Sequence, residues 1–262
     1  MSLVSHFTQP DAQAAYFVEF LEQLDQQEQI RALRTSTAER LVPAPGRTVL
    51  DLGCGIGAMA FLLAARSGMT GTIAGVDISS ALIEVARRKA GDRRGVEFHV
   101  ADALAIPYPT GFFDAAYSER VFLYLPDRLA ALEELRRVVK PGGQICLVDT
   151  DFDSTAIYSG QKNLTRQLTN VIAAAIPNPD SGRELPALVK RAGFKDIQVE
   201  TFALTTPYQF LVHAARGVLD RAVERGAFGK AEVDSWWDEQ ARLHEAGDFL
   251  HVWLFVRVTA TV

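Results

Sequence analysis

The sequence predicts an α/β protein built on a doubly wound, mostly parallel sheet with helices on both faces. Three observations predict it. Between residues 48 and 149, short β-branched or apolar runs alternate with helical periodicities. The first run leads into "DLGCGIGA", where Gly53, Gly55 and Gly57 stand at alternate positions before a second apolar run begins. The residues that invite chemistry follow strand ends, which is where ligands sit in such a sheet.

Residues 11 to 42 carry Phe17, Phe20, Leu21, Leu24, Ile30, Leu33 and Leu41 at three-to-four spacing, so they are expected to be helical up to the break at Pro43-Ala44-Pro45-Gly46. Thr48–Leu52 reads as a buried strand and Met59–Ser67 as a helix stopped by Gly68. Thr72–Val76 is the second strand, and Ser80–Ala90 a helix with Ser79 or Ser80 as its cap. Val96–Val100 and Phe113–Ser118 are the third and fourth strands. Asp127–Val139 is a helix with Leu129, Leu132, Leu135 and Val139 on one stripe, and Gln144–Asp149 is the fifth strand. Beyond residue 150 helices are expected over Lys162–Ile176, Leu185–Ala192, Pro207–Arg225 and Glu232–Glu245. Ile197–Leu204 and residues 249 to 258 read as strands.

Composition narrows the function. The chain has 262 residues, is 48% hydrophobic and carries a formal charge of −5, enough apolar material for one large domain and a poor balance for a nucleic-acid binder. Its basic clusters are short and interspersed with acids, as on solvated helix faces. The two cysteines, Cys54 and Cys146, sit in apolar stretches and are expected as reduced thiols of a cytoplasmic protein. The first residues have neither the basic nor the apolar region of a signal peptide, and no apolar run approaches the ~18 residues of a membrane span. Asn163-Leu164-Thr165 matches a glycosylation pattern that carries no meaning without secretion.

A strand, a glycine turn and a helix form the general plan for holding a nucleotide-like ligand, since glycine accepts positive φ and the helix start presents free N–H groups. The spacing here is G-x-G-x-G, which argues against the dinucleotide fingerprint, and no G-K-[ST] tripeptide exists for a P-loop. Asp77 ends the second strand, twenty residues after Gly57, where an acid can accept a ribose diol. Asp102 follows the third strand, placed for an adenine edge. Each acid alone could equally be a cap or a turn residue.

"VLDLGCGIGA", "VDIS", "ADALAIPYPTGFFDAAYSERVFLYLPD" and "ALEELRRVVKPGGQICLVD" together closely resemble the class I S-adenosylmethionine-dependent methyltransferases. Within that class they are most similar to the branch of the ubiquinone and menaquinone C-methyltransferases and many bacterial natural-product methyltransferases. The resemblance is strong over roughly residues 46 to 150 and holds in outline over 185 to 258. It implies a Rossmann-like, seven-stranded sheet whose last strand is antiparallel, with Lys140–Gly143 as the turn into the fifth strand. It also implies S-adenosyl-L-methionine as cofactor and S-adenosyl-L-homocysteine as product. By that resemblance Asp51, Gly53, Gly55 and Gly57 form the loop under the methionine and ribose parts. Asp77 holds the ribose hydroxyls, Ile78 packs on the adenine, and Asp102 and Ala103 meet its edge. Ser118 lies near the cofactor's amino group.

Residues 1–45 are expected as a helical arm that serves as a lid or as a homodimer contact. Residues 46–262 form the cofactor domain, with substrate-covering segments near 151–190 and 206–246. The acceptor is expected to be a small, largely apolar organic molecule methylated on oxygen or carbon, with positioning as the main device. Glu119, just past the fourth strand, is the expected substrate-side acid, the alternative being a salt bridge to Arg120 or a helix-start acid. Tyr16, Phe122, Tyr124, Asp151, Arg183 and His213 are expected to line the substrate side. A sulfonium welcomes aromatic faces, for which Tyr117 is a further candidate. The aromatics of the second half could line an apolar pocket or be ordinary core. Asp149, Asp151 and Asp153 alternate as in a calcium loop, but Ser154 and Gly160 stand where Gly and Glu would be needed, so no metal is expected; a partner for Arg183 is the favoured reading. The five histidines lack metal-ligand spacing. No proline pair follows the fourth strand, against methylation of base amino groups, and the glycine spacing differs from the one a short-chain oxidoreductase needs. A cofactor-binding scaffold, or an enzyme repurposed for cyclisation or decarboxylation, is the alternative.

Overall fold

The computed structural model describes residues 14–41, 45–67 and 70–262. The N-terminal segment, the start of the expected first helix, its break at Pro43 and the stop at Gly68 lie outside the described residues. The expected arm is two helices, α1 (Ala14–Gln26) and α2 (Glu28–Leu41), parted at Gln27. The alternation then runs β1 (Val49–Leu52), α3 (Ala58–Arg66), β2 (Ile73–Asp77), α4 (Ser80–Ala90), β3 (Val96–Val100), β4 (Phe113–Glu119), a 3₁₀ turn (Phe122–Tyr124) and α5 (Arg128–Val138). After β5 (Val139–Ile157) come α6 (Lys162–Ala173), α7 (Ser181–Arg191), β6 (Lys195–Thr205), α8 (Tyr208–Glu224), α9 (Lys230–Ala246) and β7 (His251–Thr261).

The seven strands form one sheet in the order β3-β2-β1-β4-β5-β7-β6. β7 runs antiparallel to both neighbours, and the other described pairings are parallel. Chain order reverses between β1 and β4, so the crevice above β1 is the switch point of the sheet. Local signals explain the helix starts: the Ser79 hydroxyl accepts from Leu82 N–H at 3.2 Å, and Asp127 caps α5 through Ala130 N–H at 3.0 Å. One face of the sheet buries Val49, Ile73, Tyr117 and Val148 against α1–α4; the other buries Leu50, Val76, Ala116 and Leu147 against α5 and α7. Trp236, Trp237 and Leu219 form a separate apolar cluster with Leu168 of α6.

The fifth strand departs from expectation. It does not stop at Asp149 but continues to Ile157, because β7 offers backbone partners along its length: Asp151 pairs with Leu254, then across a bulge Ala156 with Val252. "DTDFDS" is therefore strand and bulge, and "KPGG" lies inside the same extended element.

Candidate active site at the strand ends

A cavity of about 350 Å³ opens over the carboxyl ends of β1, β2 and β4 and the turn after β3. Its floor is the glycine loop. Gly53, Gly55 and Gly57 have φ of 72°, 52° and 86°, in the left-handed region that side chains resist. Packing demands glycine as well: a Cβ at Gly53 would stand 2.1 Å from Val121 Cγ2, and one at Gly57 would stand 2.8 Å from Phe98. The glycines thus make room for the protein's own side chains as much as for a ligand. Gly53 and Gly55 line the cavity; Gly57, packed on Phe98 and Phe61, instead starts α3.

Asp77 secures this floor. Its Oδ2 accepts from Gly55 N–H and its Oδ1 from Ser79 N–H, both at 2.9 Å. Ile78, at 57% exposure, stands at the cavity rim, and Asp102 and Ala103 border it; Asp102 Oδ1 caps the turn through Leu104 N–H at 2.9 Å. Asp51 lies on β1 under the loop, 2% exposed, and among the described residues its Oδ2 has no hydrogen-bond partner. Burial, then the nearby Glu119 carboxylate, push its pKa up to about 7. An unpartnered buried carboxyl oxygen beside a cavity suits a cationic group such as an amino acid's ammonium.

Glu119 borders the same cavity, but its oxygens are committed. Arg34 on α2 donates from Nε to Oε2 at 2.8 Å and from Nη2 to Oε1 at 2.7 Å, and the Tyr117 hydroxyl donates to Oε2 at 2.5 Å. Burial opposes the carboxylate, yet Arg34 and these bonds outweigh it and hold the Glu119 pKa below its ordinary value. The alternative reading of a salt bridge thus holds with Arg34 in place of Arg120; the Arg34 side chain is 10% exposed and also reaches Asp25 at 3.0 Å. The arm is keyed to the strand ends by this buried ion pair.

Beside the first cavity lies an aromatic chamber of about 40 Å³, bounded by Tyr16, Phe152, Ile176, Leu211, His251 and Trp253 among others. Phe17, Phe20, Arg120 and Tyr124 wall both spaces. The indole N–H of Trp253 donates to His251 Nε2 at 2.8 Å, so the ring proton sits on Nδ1 and is donated to Thr206 Oγ1 at 2.6 Å. Burial lowers the His251 pKa to about 4 and keeps the ring neutral near pH 7. Burial likewise raises the Tyr124 pKa.

The remaining expected substrate-side residues separate. Tyr16 lines the chamber and Tyr124 both spaces. His213 borders neither; its ring stacks on Tyr16 with centroids 4.5 Å apart. Phe122 is 1% exposed in the core under the opposite sheet face, because its 3₁₀ turn directs it there. Asp151 and Arg183 do pair with each other, and Arg183 Nη2 also reaches Ser154 Oγ at 2.9 Å. They line neither cavity: the longer β5 turns this pair into a clasp between β5 and α7. Ser118 is buried at the end of β4 and does not line the cavity with its side chain. Of the aromatics from the second half, Phe152 and Trp253 reach the chamber, while Trp236 and Trp237 are core. Sequence reading missed Arg34, Arg120, Phe17 and Phe20 as site residues. The two phenylalanines carried only a core signal, and neither arginine belongs to a motif.

A glycine turn at the switch point of a 3-2-1-4-5-7-6 sheet, faced by acids, defines the class I S-adenosylmethionine-dependent methyltransferases. Residues 50–147 match the family described as "Methyltransferase domain". An uncharacterised 37.1 kDa protein of a Streptomyces fradiae transposon is 32% identical over 231 residues, covering 86% of this chain and 66% of that protein. The demethylmenaquinone methyltransferase of Lactococcus lactis is 29% identical over 185 residues, covering 64% of this chain and 73% of the relative. Phosphoethanolamine N-methyltransferase 2 of Haemonchus contortus, solved with S-adenosyl-L-methionine, shares the fold with a TM-score of 0.57 at 20% identity, covering 88% of this chain and 52% of that one. This chain therefore spans about two thirds of the streptomycete protein and about half of the nematode enzyme. Residues 50–147 are thus a methyltransferase domain, and the chain around them is similar in sequence and fold to S-adenosylmethionine-dependent methyltransferases.

Proposed function

We propose that the protein transfers a methyl group to oxygen or carbon of a small organic acceptor with a largely apolar body. The observation that carries this reading is the aromatic chamber sharing four wall residues with the strand-end cavity. One space offers acids and backbone to a polar cofactor, and the other, at about 40 Å³, offers rings to the end of an apolar acceptor that reaches past their shared wall. S-adenosylmethionine, when bound, supplies a methyl group already activated on a sulfonium.

In this reading Asp77 accepts the ribose hydroxyls while keeping its hold on the glycine loop. Asp51 Oδ2 receives the ammonium of the methionine part, which would keep that carboxyl ionised near pH 7. Ile78 and Ala103 flank the adenine, with Asp102 at its edge. Phe17, Phe20 and Tyr124 border both spaces, so they can exclude water and present ring faces to positive charge. Arg34 and Tyr117 take three acceptor sites of Glu119 and hold its pKa low, and Trp253 occupies His251 Nε2, so neither is a ready base for a substrate proton. Rate enhancement then rests on holding the acceptor atom in line at ~3–3.5 Å, and acceptors whose oxygen or carbon ionises readily are favoured. Glu119 acts through Arg34 on the placement of the arm, as a positioning residue.

The test is incubation of the purified protein with S-adenosylmethionine and panels of phenolic, quinone and isoprenoid acceptors, with mass spectrometry of S-adenosylhomocysteine and methylated product. Both rise together if the reading holds. Tight cofactor binding with no S-adenosylhomocysteine from any panel would replace it with the scaffold reading.

A further inference from the structure

Arg120 stands at the boundary of the two spaces and borders both. Its guanidinium carbon lies 5.0 Å from the ring centre of Phe20 and 5.6 Å from that of Trp253, and its side chain hydrogen-bonds Tyr124. The backbone there has φ of 58°, a left-handed conformation that few residues other than glycine adopt. The N–H of Arg120, donating to Val148 O at 2.8 Å, pins that turn. Strain kept at the mouth of a site marks a side chain whose placement matters there.

Among the described residues no carboxylate forms an ion pair with Arg120, and its Nε is buried without a partner. The neighbouring acids are spoken for. Glu119 belongs to Arg34 and Tyr117, and Asp149 accepts from Leu123 N–H at 2.9 Å and Ser181 Oγ at 2.7 Å. A guanidinium that gives up water for aromatic faces regains part of the loss through cation–π attraction, but the bond to Tyr124 uses only part of its planar fork and leaves Nε open. An anionic oxygen is the group that completes such a site, and a guanidinium edge fits a carboxylate in two bonds.

We propose that Arg120 anchors an acidic oxygen of the acceptor, so that the substrates of this site are small organic acids with an apolar body among Phe20, Phe152 and Trp253 and an anionic oxygen at the guanidinium. The assignment of that ligand as acceptor rests on the methyl-transfer reading; the anion site itself does not. The same oxygen chemistry is present in the carboxylate of the cofactor's methionine part, and the experiment separates the two sources.

The probes are 2-naphthoate and its neutral counterpart 2-naphthamide, titrated calorimetrically into protein loaded with S-adenosylhomocysteine. The wild type is expected to bind the carboxylate roughly tenfold or more tighter, the scale of a hydrogen bond to a charged partner. Arg120→Met is expected to erase that ratio while S-adenosylhomocysteine affinity stays within about twofold. Arg120→Lys, which keeps the charge but not the planar fork, retains part of the preference and serves if the methionine variant does not fold. Equal binding of the two probes by the wild type, or an unchanged ratio in Arg120→Met, overturns the proposal. So does a fall in S-adenosylhomocysteine affinity with the ratio intact, which would give Arg120 to the cofactor. Failure of the wild type to bind S-adenosylhomocysteine would sink the methyl-transfer reading instead, and the probe ratio of the unloaded protein would still decide the anion site.

Discussion

The two spaces at the strand ends solve different problems with different materials. The larger is polar at its floor: Asp51, Asp77 and Asp102 and the glycine backbone border it. Its parts come from strand ends that are neighbours in the sheet, and Asp77 ties the loop after β1 to the end of β2 through Gly55. The smaller is aromatic, with a single arginine at its border, and draws on α1, the 3₁₀ turn, the β5 bulge, α6, α8 and β7. A ligand whose structure never changes can be met by backbone and a few acids held by the sheet. A ligand that differs from enzyme to enzyme is met by side chains on helices and insertions, which can change without disturbing that sheet.

The comparison breaks most severely at the ion pair joining the arm to the site. Arg34→Met leaves Glu119 buried without its partner and is expected to cost about 3–5 kcal/mol of stability in denaturant unfolding, whereas Arg34→Met with Glu119→Leu recovers much of the loss. Because the folded Glu119 pKa is lowered, the pair's contribution is present above the unfolded carboxyl pKa and is lost as pH falls through the folded value. Arg34→Met should therefore show a flatter acid limb than the wild type between about pH 5 and pH 2. A cost no larger than that of a surface pair would deny the arm its key.

Gly53→Ala tests the floor of the larger space. Left-handed strain and the clash with Val121 together are expected to remove about 2–4 kcal/mol of stability, with loss of S-adenosylmethionine binding. Pairing it with Val121→Ala should return part of the stability, and no rescue would mean that φ alone demands the glycine. Asp77→Ala is milder, with cofactor affinity falling by about 1.5–3 kcal/mol in calorimetry; unchanged affinity would remove the ribose assignment.

His251 sharpens the contrast from the apolar side. Its folded pKa is depressed to about 4, so the unfolded chain takes up the proton first and this residue's contribution is lost as pH falls from about 6.5 toward 4. The raised pKa values of Asp51 and Asp149, both about 7, act in the opposite sense over part of that range. The useful quantity is thus the difference from His251→Gln. Between pH 8 and pH 5 the wild type should lose about 2 kcal/mol relative to the variant. A difference that does not vary with pH would mean that His251 is not held neutral.

The succession of strands and helices, the glycine turn and the acids at the end of β2 and after β3 were legible because each is encoded within a few consecutive residues. Left-handed φ asks for glycine at the turn, a strand end asks for a short polar residue, and alternation asks for a parallel sheet. The helix starts at Ser79 and Asp127 were legible for the same reason. Glu119 was readable as a residue at the site but not in its partner, because Arg34 lies 85 positions earlier in the chain on a helix whose pattern signals only an amphipathic face. Phe122 was misplaced by the 3₁₀ turn, and Asp151 and Arg183 by the length of β5.

By itself the sequence determined the sheet and the polar floor of the site, since local backbone preference and hydrophobic period suffice for those, while the class of the protein came from the resemblance its motifs carry. Only the tertiary structure decided which side chains close the site. The keying of Arg34 to Glu119, the aromatic frame around Arg120 and the neutral tautomer of His251 depend on contacts between segments far apart in the chain. Such contacts form only once the core has set their distance and removed the competing water.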